Sequence, residues 1–460
     1  LRGQFRQPLL STRAGRWQDW DGQLFADFAK VDVAQLRRHA DLGVNITQGL
    51  GALRLWADVN KGEVSGGAAD IALDTVDVTL GPQLQPLALA AVSGRLAGRR
   101  LANGFEFSTR DLQFRTPDGL VWPGGNVALT WTGAEGKILA QGELRADRLD
   151  LAALSQVATR LPLGTATHAL LAAHAPRGLV ESVQARWQGP LGAPEKYQAK
   201  GRATALEVAA RPATLPRGST ATHAPAGVPG IRGASVEFDF TQAGGKARLS
   251  VQKGALELPG VFEDPVVALD QFSTDAQWQI NGGAIALTLG NLKFANADAE
   301  GQAEVSWRTS DPAVSGSRSR FPGVLDLQAT LSRAEGTRVH RYLPQRIAKP
   351  ARDYVRDSVL QGKASGARFR IKGDLWDLPF NDPRLGEFRI SANVKDATFA
   401  FVPRSIAPRG SAPWPSLTQL SGELVFERSG MQVKGATARL SGAPGLQVNK
   451  AEARIPDLAH

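Results

Sequence analysis

The chain of 460 residues contains no cysteine. That excludes a disulfide framework, zinc–thiolate and iron–sulfur sites, and a thiol nucleophile. Methionine occurs once, at Met431, and aromatic residues make up only 7%. No run approaches the ~20 apolar residues of a spanning helix, and no signal peptide opens the chain. Histidine is scarce. His39, His168, His174, His223, His340 and His460 have no carboxylate or second histidine at metal-ligand spacing on a helix, which argues against a histidine-based metal site. No nucleophile elbow, phosphate loop or dinucleotide fingerprint falls in a strand–turn–helix setting. The nearest approach to a catalytic acid pair is Glu263–Asp264 in "PGVFEDP". Neighbours on a strand point to opposite faces, so this pair reads as a turn before Pro265. Basic residues are scattered, with no aromatic–basic RNA motif or zinc-finger spacing, so nucleic acid is not an expected partner.

What is present is 42% hydrophobic residues, mostly aliphatic, with Gly 49 and Pro 27 as punctuation. The formal charge is +10 and the isoelectric point about 10.0. Such a balance favours anionic partners such as lipid headgroups or acidic glycans, and equally serves solubility. Period-two alternation dominates the chain. "LRLWADV" (53–59), "DIALD" (70–74), "VDVTL" (76–80), "VALTW" (127–131), "VEFDF" (236–240), "ARLSV" (247–251) and "IALTL" (285–289) each put apolar residues on one face. Strict alternation marks strands with one apolar and one wet face. Turn signals every ~8–15 residues suggest antiparallel meanders. Of the Trp residues, Trp131 and Trp307 continue apolar faces, whereas Trp414 sits between prolines in a loop.

Helix signals are few. "KVDVAQLRRHADL" predicts a helix near 33–42 with Asp32 as N-cap, and "RLDLAALSQVATRLP" one near 151–161 with Asp150 as N-cap. Short helices are expected near 338–343 and 350–361, the latter with Pro350 in its first turn and Gly362 as C-cap. The first two share a pattern, a weak repeat signal of several strands followed by a helical crossover. Segments 211–230, 311–323 and 403–416, rich in Pro, Gly, Ser and Thr, read as long loops. The expected organisation is three sheet segments, 1–146, 147–336 and 337–460, the last continuing beyond the final residue.

The fold class is therefore mostly β: a long, twisted, curled antiparallel sheet forming an elongated groove from repeated multi-strand units. About 25–30 strands at ~4.8 Å each would span on the order of 120–140 Å. The apolar face of such a sheet needs a cover, and few helices exist to supply it. Either the sheet fills its own interior, or it stays open as a trough for an apolar ligand. An acyl chain suits a trough: each exposed methylene costs about 0.8 kcal/mol, so a ~16-carbon tail costs roughly 12 kcal/mol in water. Neither a cofactor nor a metal is called for.

"FEFSTRDLQFRTPDGLVWPGGNVAL", "LELPGVFEDPVVALDQF", "NLKFANADAEGQAEVSW", "PGVLDLQATLSRAEGTRVHRYLP" and "GARFRIKGDLWDLPF" together resemble the periplasmic body of YhdP-type proteins, in the wider AsmA-like group. The resemblance runs over nearly the whole chain in segment order. It implies a periplasmic β-groove anchored in the inner membrane and moving phospholipid between the two membranes of a Gram-negative cell. This chain would then be a middle fragment, monomeric, with the N-terminal anchor and the part reaching the outer membrane outside it. The family carries no catalytic residues to transfer.

Alternation alone proposes the groove lining: Leu53, Leu55, Val76, Val78, Leu80, Phe105, Phe107, Leu129, Trp131, Phe238, Phe240, Leu249, Ile285, Leu287, Phe369, Ile371, Phe388 and Ile390. Tyr354, Val355 and Val359 are expected on a lid or crossover helix, with Arg368, Arg370 and Lys372 facing water. Three rival readings stand beside this one. They are a self-filled structural or adhesive β-solenoid, a scaffold for outer-membrane assembly, and a polysaccharide-acting β-helix enzyme.

Overall fold

The computed structural model describes residues 1–6, 16–36, 44–136, 139–163, 165–190, 194–213 and 226–458. The alternating segments are strands, because a one-faced apolar pattern buries its apolar side only in a pleated sheet. In order these are β1 (Arg2–Arg6), β2 (Asp21–Asp32), β3 (Asn45–Asn60), β4 (Glu63–Thr79), β5 (Leu87–Leu101), β6 (Gly104–Arg115), β7 (Val121–Trp122), β8 (Val127–Thr132), β9 (Gln141–Asp150), β10 (Arg177–Gln188) and β11 (Lys196–Val208). They continue as β12 (Gly230–Thr241), β13 (Gly244–Glu257), β14 (Val266–Asn281), β15 (Ala284–Ala295), β16 (Ala299–Arg308), β17 (Val324–Glu335), β18 (Val359–Asp374), β19 (Gly386–Phe399), β20 (Leu417–Glu427), β21 (Gly430–Leu440) and β22 (Ala443–Ile455).

All 22 belong to one long antiparallel sheet. The sheet is not closed: among the described residues β1 pairs with β2 alone and β22 with β21 alone. Fewer strands form than the sequence suggests because stretches that read as two merge into one. "DIALD" and "VDVTL" both lie on β4, joined through Thr75 at φ +52°. Thr75 is one of several non-glycine residues held in the left-handed region inside strands, at φ +49° to +55°. The others are Asp111, Arg148 and Ala205, then Lys253, Asn291, Asp396, Gln419 and Lys450. Many neighbour a register shift. A bulge inserts one unpaired residue and bends its strand, so apolar residues on both sides of it stay on one face.

The chain divides by internal contacts into two units, Leu1–Val208 with Glu237–Gln242, and Ala209–Val236 with Ala243–His460. In the first unit the helices lie at one strand end. Helix α1 (Val33–Leu36) opens with Asp32 accepting the Ala34 N–H at 3.0 Å; the rest of the helix expected to 42 lies outside the described residues. Helix α2 (Leu151–Val157) is capped by Asp150, whose Oδ1 accepts the Ala153 N–H at 2.9 Å. A 3₁₀ turn, Ala158–Arg160, completes the expected span. Helix α3 (Thr165–His174) follows and has no counterpart in the sequence reading. Val33 and Val157 drive into a packed cluster with Leu53, Leu73, Val76, Leu87, Leu89 and Val92.

In the second unit β17 runs into a 3₁₀ helix, Gly336–Tyr342, and then α4 (Lys349–Ser358). The helix expected over 350–361 stops at Ser358. Val359 is the first residue of β18, paired with Phe399, rather than part of a helix. Pairing with β19 claims these residues for the ladder. Of the loop 211–230, residues 214–225 lie outside the described residues, and β12 begins at Gly230.

Candidate functional site, an uncovered apolar face

Cross-strand register converts alternation into rows that run across the sheet. In the first unit Gly3, Leu24, Ala57, Gly67, Gly98, Phe107, Leu129, Leu144, Ala185 and Ala199 are successive partners. Not one polar side chain interrupts ten strands. At ~4.8 Å per strand the row is about 43 Å long. The next rung pairs Phe105 with Trp131, their rings 5.9 Å apart, and leads through Gly142 and Trp187 to Tyr197. Tyr197 meets Phe240 edge-on at 6.4 Å, and Phe238 lies 5.6 Å from Phe240.

The second unit repeats the arrangement. Leu292, Ala303, Ala329, Phe369, Ile390, Phe426, Met431 and Ile455 form one row. Ala247, Ala276, Leu289, Val305, Leu327, Ile371 and Phe388 form another. Leu287 stands between Trp278 and Trp307, Ile285 opposite Ile280, and Leu249 opposite the buried Thr274.

Packing along the strands is uneven. Leu53 and Val76 are each 7% exposed inside the helix-plugged cluster, with Val78 and Leu80 against it. Towards the hairpin ends Phe105 and Phe107 are 42% and 40% exposed, and Tyr197 39%. Leu55, Leu129, Trp131, Phe238, Phe240, Leu249, Ile285, Leu287, Phe369, Ile371, Phe388 and Ile390 are half-buried. Large side chains in a two-layer core are normally buried outright. The residues proposed from sequence thus fall into two sets, four at a packed end and the remainder half-buried or exposed among the described residues. Sequence reasoning missed Leu144, Trp187, Leu327 and Met431. Short or charge-flanked alternation hides them, and only the register brings them into the rows.

The opposite face is ionic. Arg54 meets Asp27 at 3.3 Å, Arg95 meets Asp70 at 2.6 Å, and Arg99 meets Glu106 at 2.7 Å. In the second unit Arg370 pairs with Asp326 and with Glu387 at 3.3 Å, and Lys372 lies 3.8 Å from Asp326. Arg368 and Lys372 are exposed on this face, and Arg370 and Lys372 also pair across strands. Each exposed pair contributes little stability, but opposite charges on facing strands favour this register. The Arg95 guanidinium holds the Asp70 carboxyl below its usual range, and Arg370 does the same for Asp326.

Glu143 is the strongest case. Its Oε1 accepts from Gln184 and Arg145, both at 2.7 Å, and from Arg186 at 3.3 Å. These donors lower its pKa to about 2. It lines an open hollow of about 620 Å³, of mixed polar and apolar character, with Arg186, Trp187 and Tyr197. A carboxylate saturated with donors and ionised at neutral pH is poorly suited to deliver a proton. A carboxyl depressed on folding contributes stability above its unfolded pKa of 4.5 and loses it as pH falls through about 2. Glu143→Gln should lower the melting temperature at pH 7, and that gap should close by about pH 2. A pH-independent gap in paired melting curves would contradict the ionic assignment. Among the described residues no group of three or more His, Asp or Glu side chains is placed to hold a metal ion. None of the helices there is long and apolar enough to cross a membrane.

The crossover after β17 is clasped by polar contacts. Arg341 donates to Asp298 at 2.8 Å and Asp264 at 2.9 Å, and Tyr342 Oη donates to Asp298 at 2.9 Å. Gln345 Nε2 donates to the Phe262 carbonyl at 2.7 Å. The buried Arg352 donates to the Gln345 and Ile347 carbonyls and lies 3.5 Å from Glu263. Glu263 and Asp264 lie in the bend before Pro265, and each meets a different arginine. On α4, Tyr354 Oη donates to the Phe401 carbonyl at 3.1 Å and its ring stands edge-on to Phe399 at 6.4 Å. Val355 is half-buried, and its carbonyl accepts the Val359 N–H that ends the helix.

An open antiparallel sheet whose apolar face is, among the described residues, covered by helices at one end and only half-buried elsewhere, with an ionic opposite face, defines a protein built around a long surface rather than a pocket. The chain belongs to the YhdP protein family, which it matches over residues 1–460. It is 25% identical over 416 residues to the intermembrane phospholipid transporter YhdP of Escherichia coli (strain K12), a stretch covering 88% of this chain and 30% of that protein. The chain therefore spans about a third of that relative's length. No solved structure matches it.

Proposed function

We propose that this chain is a lipid-holding segment of an intermembrane phospholipid transport protein of the Gram-negative envelope. In this reading it lies in the periplasm, with the inner-membrane anchor and the part reaching the outer membrane elsewhere in the full protein. The apolar rows take the acyl chains, and the headgroup stays in water at the hairpin ends. No bond is made or broken, so the chain acts as a conduit rather than an enzyme. The observation that carries the reading is the ten-strand row from Gly3 to Ala199, apolar throughout, on which Phe107 stays 40% exposed and Leu129 and Leu144 half-buried among the described residues. Covering one ~16-carbon tail relieves roughly 12 kcal/mol of exposure. The name of the E. coli relative supports the same substrate class. The clasp on residues 336–358 favours a fixed crossover over a mobile lid, since opening would break the Arg341, Tyr342 and Arg352 contacts together.

Native mass spectrometry of the purified chain in detergent-free buffer tests this. The wild type should carry phospholipid. Leu129→Asp places a carboxylate in the middle of the row and should lose the lipid while keeping its circular dichroism. A lipid-free, stable wild type would instead support the self-filled sheet.

A further inference from the structure

One apolar row of the second unit ends differently from the others. It runs Gly245, Trp278, Leu287, Trp307, Leu325, Gly373 and Gly386. After four large side chains it reaches two glycines facing each other on β18 and β19. Two missing side chains leave a notch on the apolar face, one rung beyond the Ile371–Phe388 pair. The notch is occupied. Phe380, from the loop joining β18 to β19, folds back and lays its ring over both glycines. A Cβ on Gly373 would stand 2.6 Å from Phe380 Cε1, and one on Gly386 2.7 Å from Phe380 Cδ1. Phe380 is 0% exposed, although its neighbours on this face, Phe369, Ile371 and Phe388, are only half-buried.

The loop is held in place for this purpose. Asp374 accepts the Trp376 N–H at 3.0 Å and the Ser310 hydroxyl at 2.8 Å, and the Phe380 N–H donates to the Asp377 carbonyl at 2.7 Å. Phe380 itself sits at φ +60°, a conformation that bulky residues seldom adopt. A ring supplied by a rim loop, set into a gap opened by two glycines, can be changed without altering the strands beneath it.

We propose that Phe380 is a specificity-determining residue of the lipid face. It fills a subsite that acyl carbons would otherwise enter, and so limits the chain length the second unit accepts. This rests on the lipid-holding reading above. Removing the ring leaves a dry apolar cavity, which apolar ligands fill in preference to water. Each further methylene buried there raises affinity about fourfold.

The test is a competition, on the whole chain, between phosphatidylethanolamines with sixteen-carbon and eighteen-carbon tails supplied in mixed vesicles and read by native mass spectrometry. Phe380→Ala should shift the bound ratio towards the longer lipid by on the order of tenfold for two methylenes, with Phe380→Leu in between. A merely structural ring would lower the melting temperature and leave the ratio alone, and that result overturns the inference. If the alanine variant does not fold, the leucine variant decides by the same ratio. A wild type that binds neither lipid overturns the lipid-holding reading and this inference with it. Binding with an unchanged ratio overturns only the inference.

Discussion

Val157→Asp should destroy the cooperative unfolding transition of the first unit, whereas Phe107→Ala should barely move it. Val157 is fully buried among Leu53, Leu73, Val76 and Leu89. A carboxylate there has no partner, and the cost exceeds about 4 kcal/mol. Phe107 belongs to the same apolar face but is 40% exposed. Truncating it removes area that folding only partly covers, so stability falls by about 1 kcal/mol. Its effect should appear instead as a lower lipid-to-protein ratio. Urea denaturation followed by tryptophan fluorescence, paired with native mass spectrometry, separates the two. The opposite pattern, with Phe107→Ala melting early and Val157→Asp tolerated, would place the packed core where we place the lipid face.

The second large effect concerns the clasp. Asp298 is buried and accepts from both Arg341 and Tyr342. Asp298→Ala removes the acceptor of the Tyr342 phenol and one of the two carboxylates that hold the Arg341 guanidinium, leaving it Asp264. Losing one partner of a buried ion pair costs roughly 3 kcal/mol. Tyr342→Phe removes two hydrogen bonds, the one to Asp298 and the one accepted from Asn296 Nδ2 at 3.1 Å, and should cost about 1–2 kcal/mol. Hydrogen exchange at residues 336–358 should accelerate strongly in the first variant and slightly in the second. Unaltered exchange in Asp298→Ala would mean that the crossover is held without Asp298, by the Gln345 and Arg352 contacts and by packing against Phe262 and Phe399.

Much of this architecture was legible in the alternation. A pattern such as Val76–Asp77–Val78 commits a segment to a strand and tells which side is apolar. Asp150 announced α2, because a short acceptor before an apolar helical stripe caps a helix wherever the chain places it. The bulges were not legible. Nothing about Thr75 or Lys253 marks it for a left-handed backbone, since that conformation is imposed by the neighbouring strands. Val359 shows the same limit: its helical spacing with Tyr354 and Val355 was real, and pairing with Phe399 overrode it. The rows themselves needed register, which distant strands decide jointly. Phe380 was invisible for a different reason. It lies among Pro379, Asn381 and Pro383, where composition says loop, and only the glycines opposite it give it a place to go.

The order of pairing has one more consequence. Apart from the step over β7, each strand from β1 to β11 pairs with the next in sequence, and so does each from β13 to β22. Contacts of that kind close short loops, which is the cheapest way to gain a β ladder. A chain emerging N-terminus first can therefore add hairpins to a finished edge as they appear, without waiting for its far end. Growth by accretion also leaves each existing rung undisturbed when another hairpin is appended. The same grammar can write a sheet of almost any length.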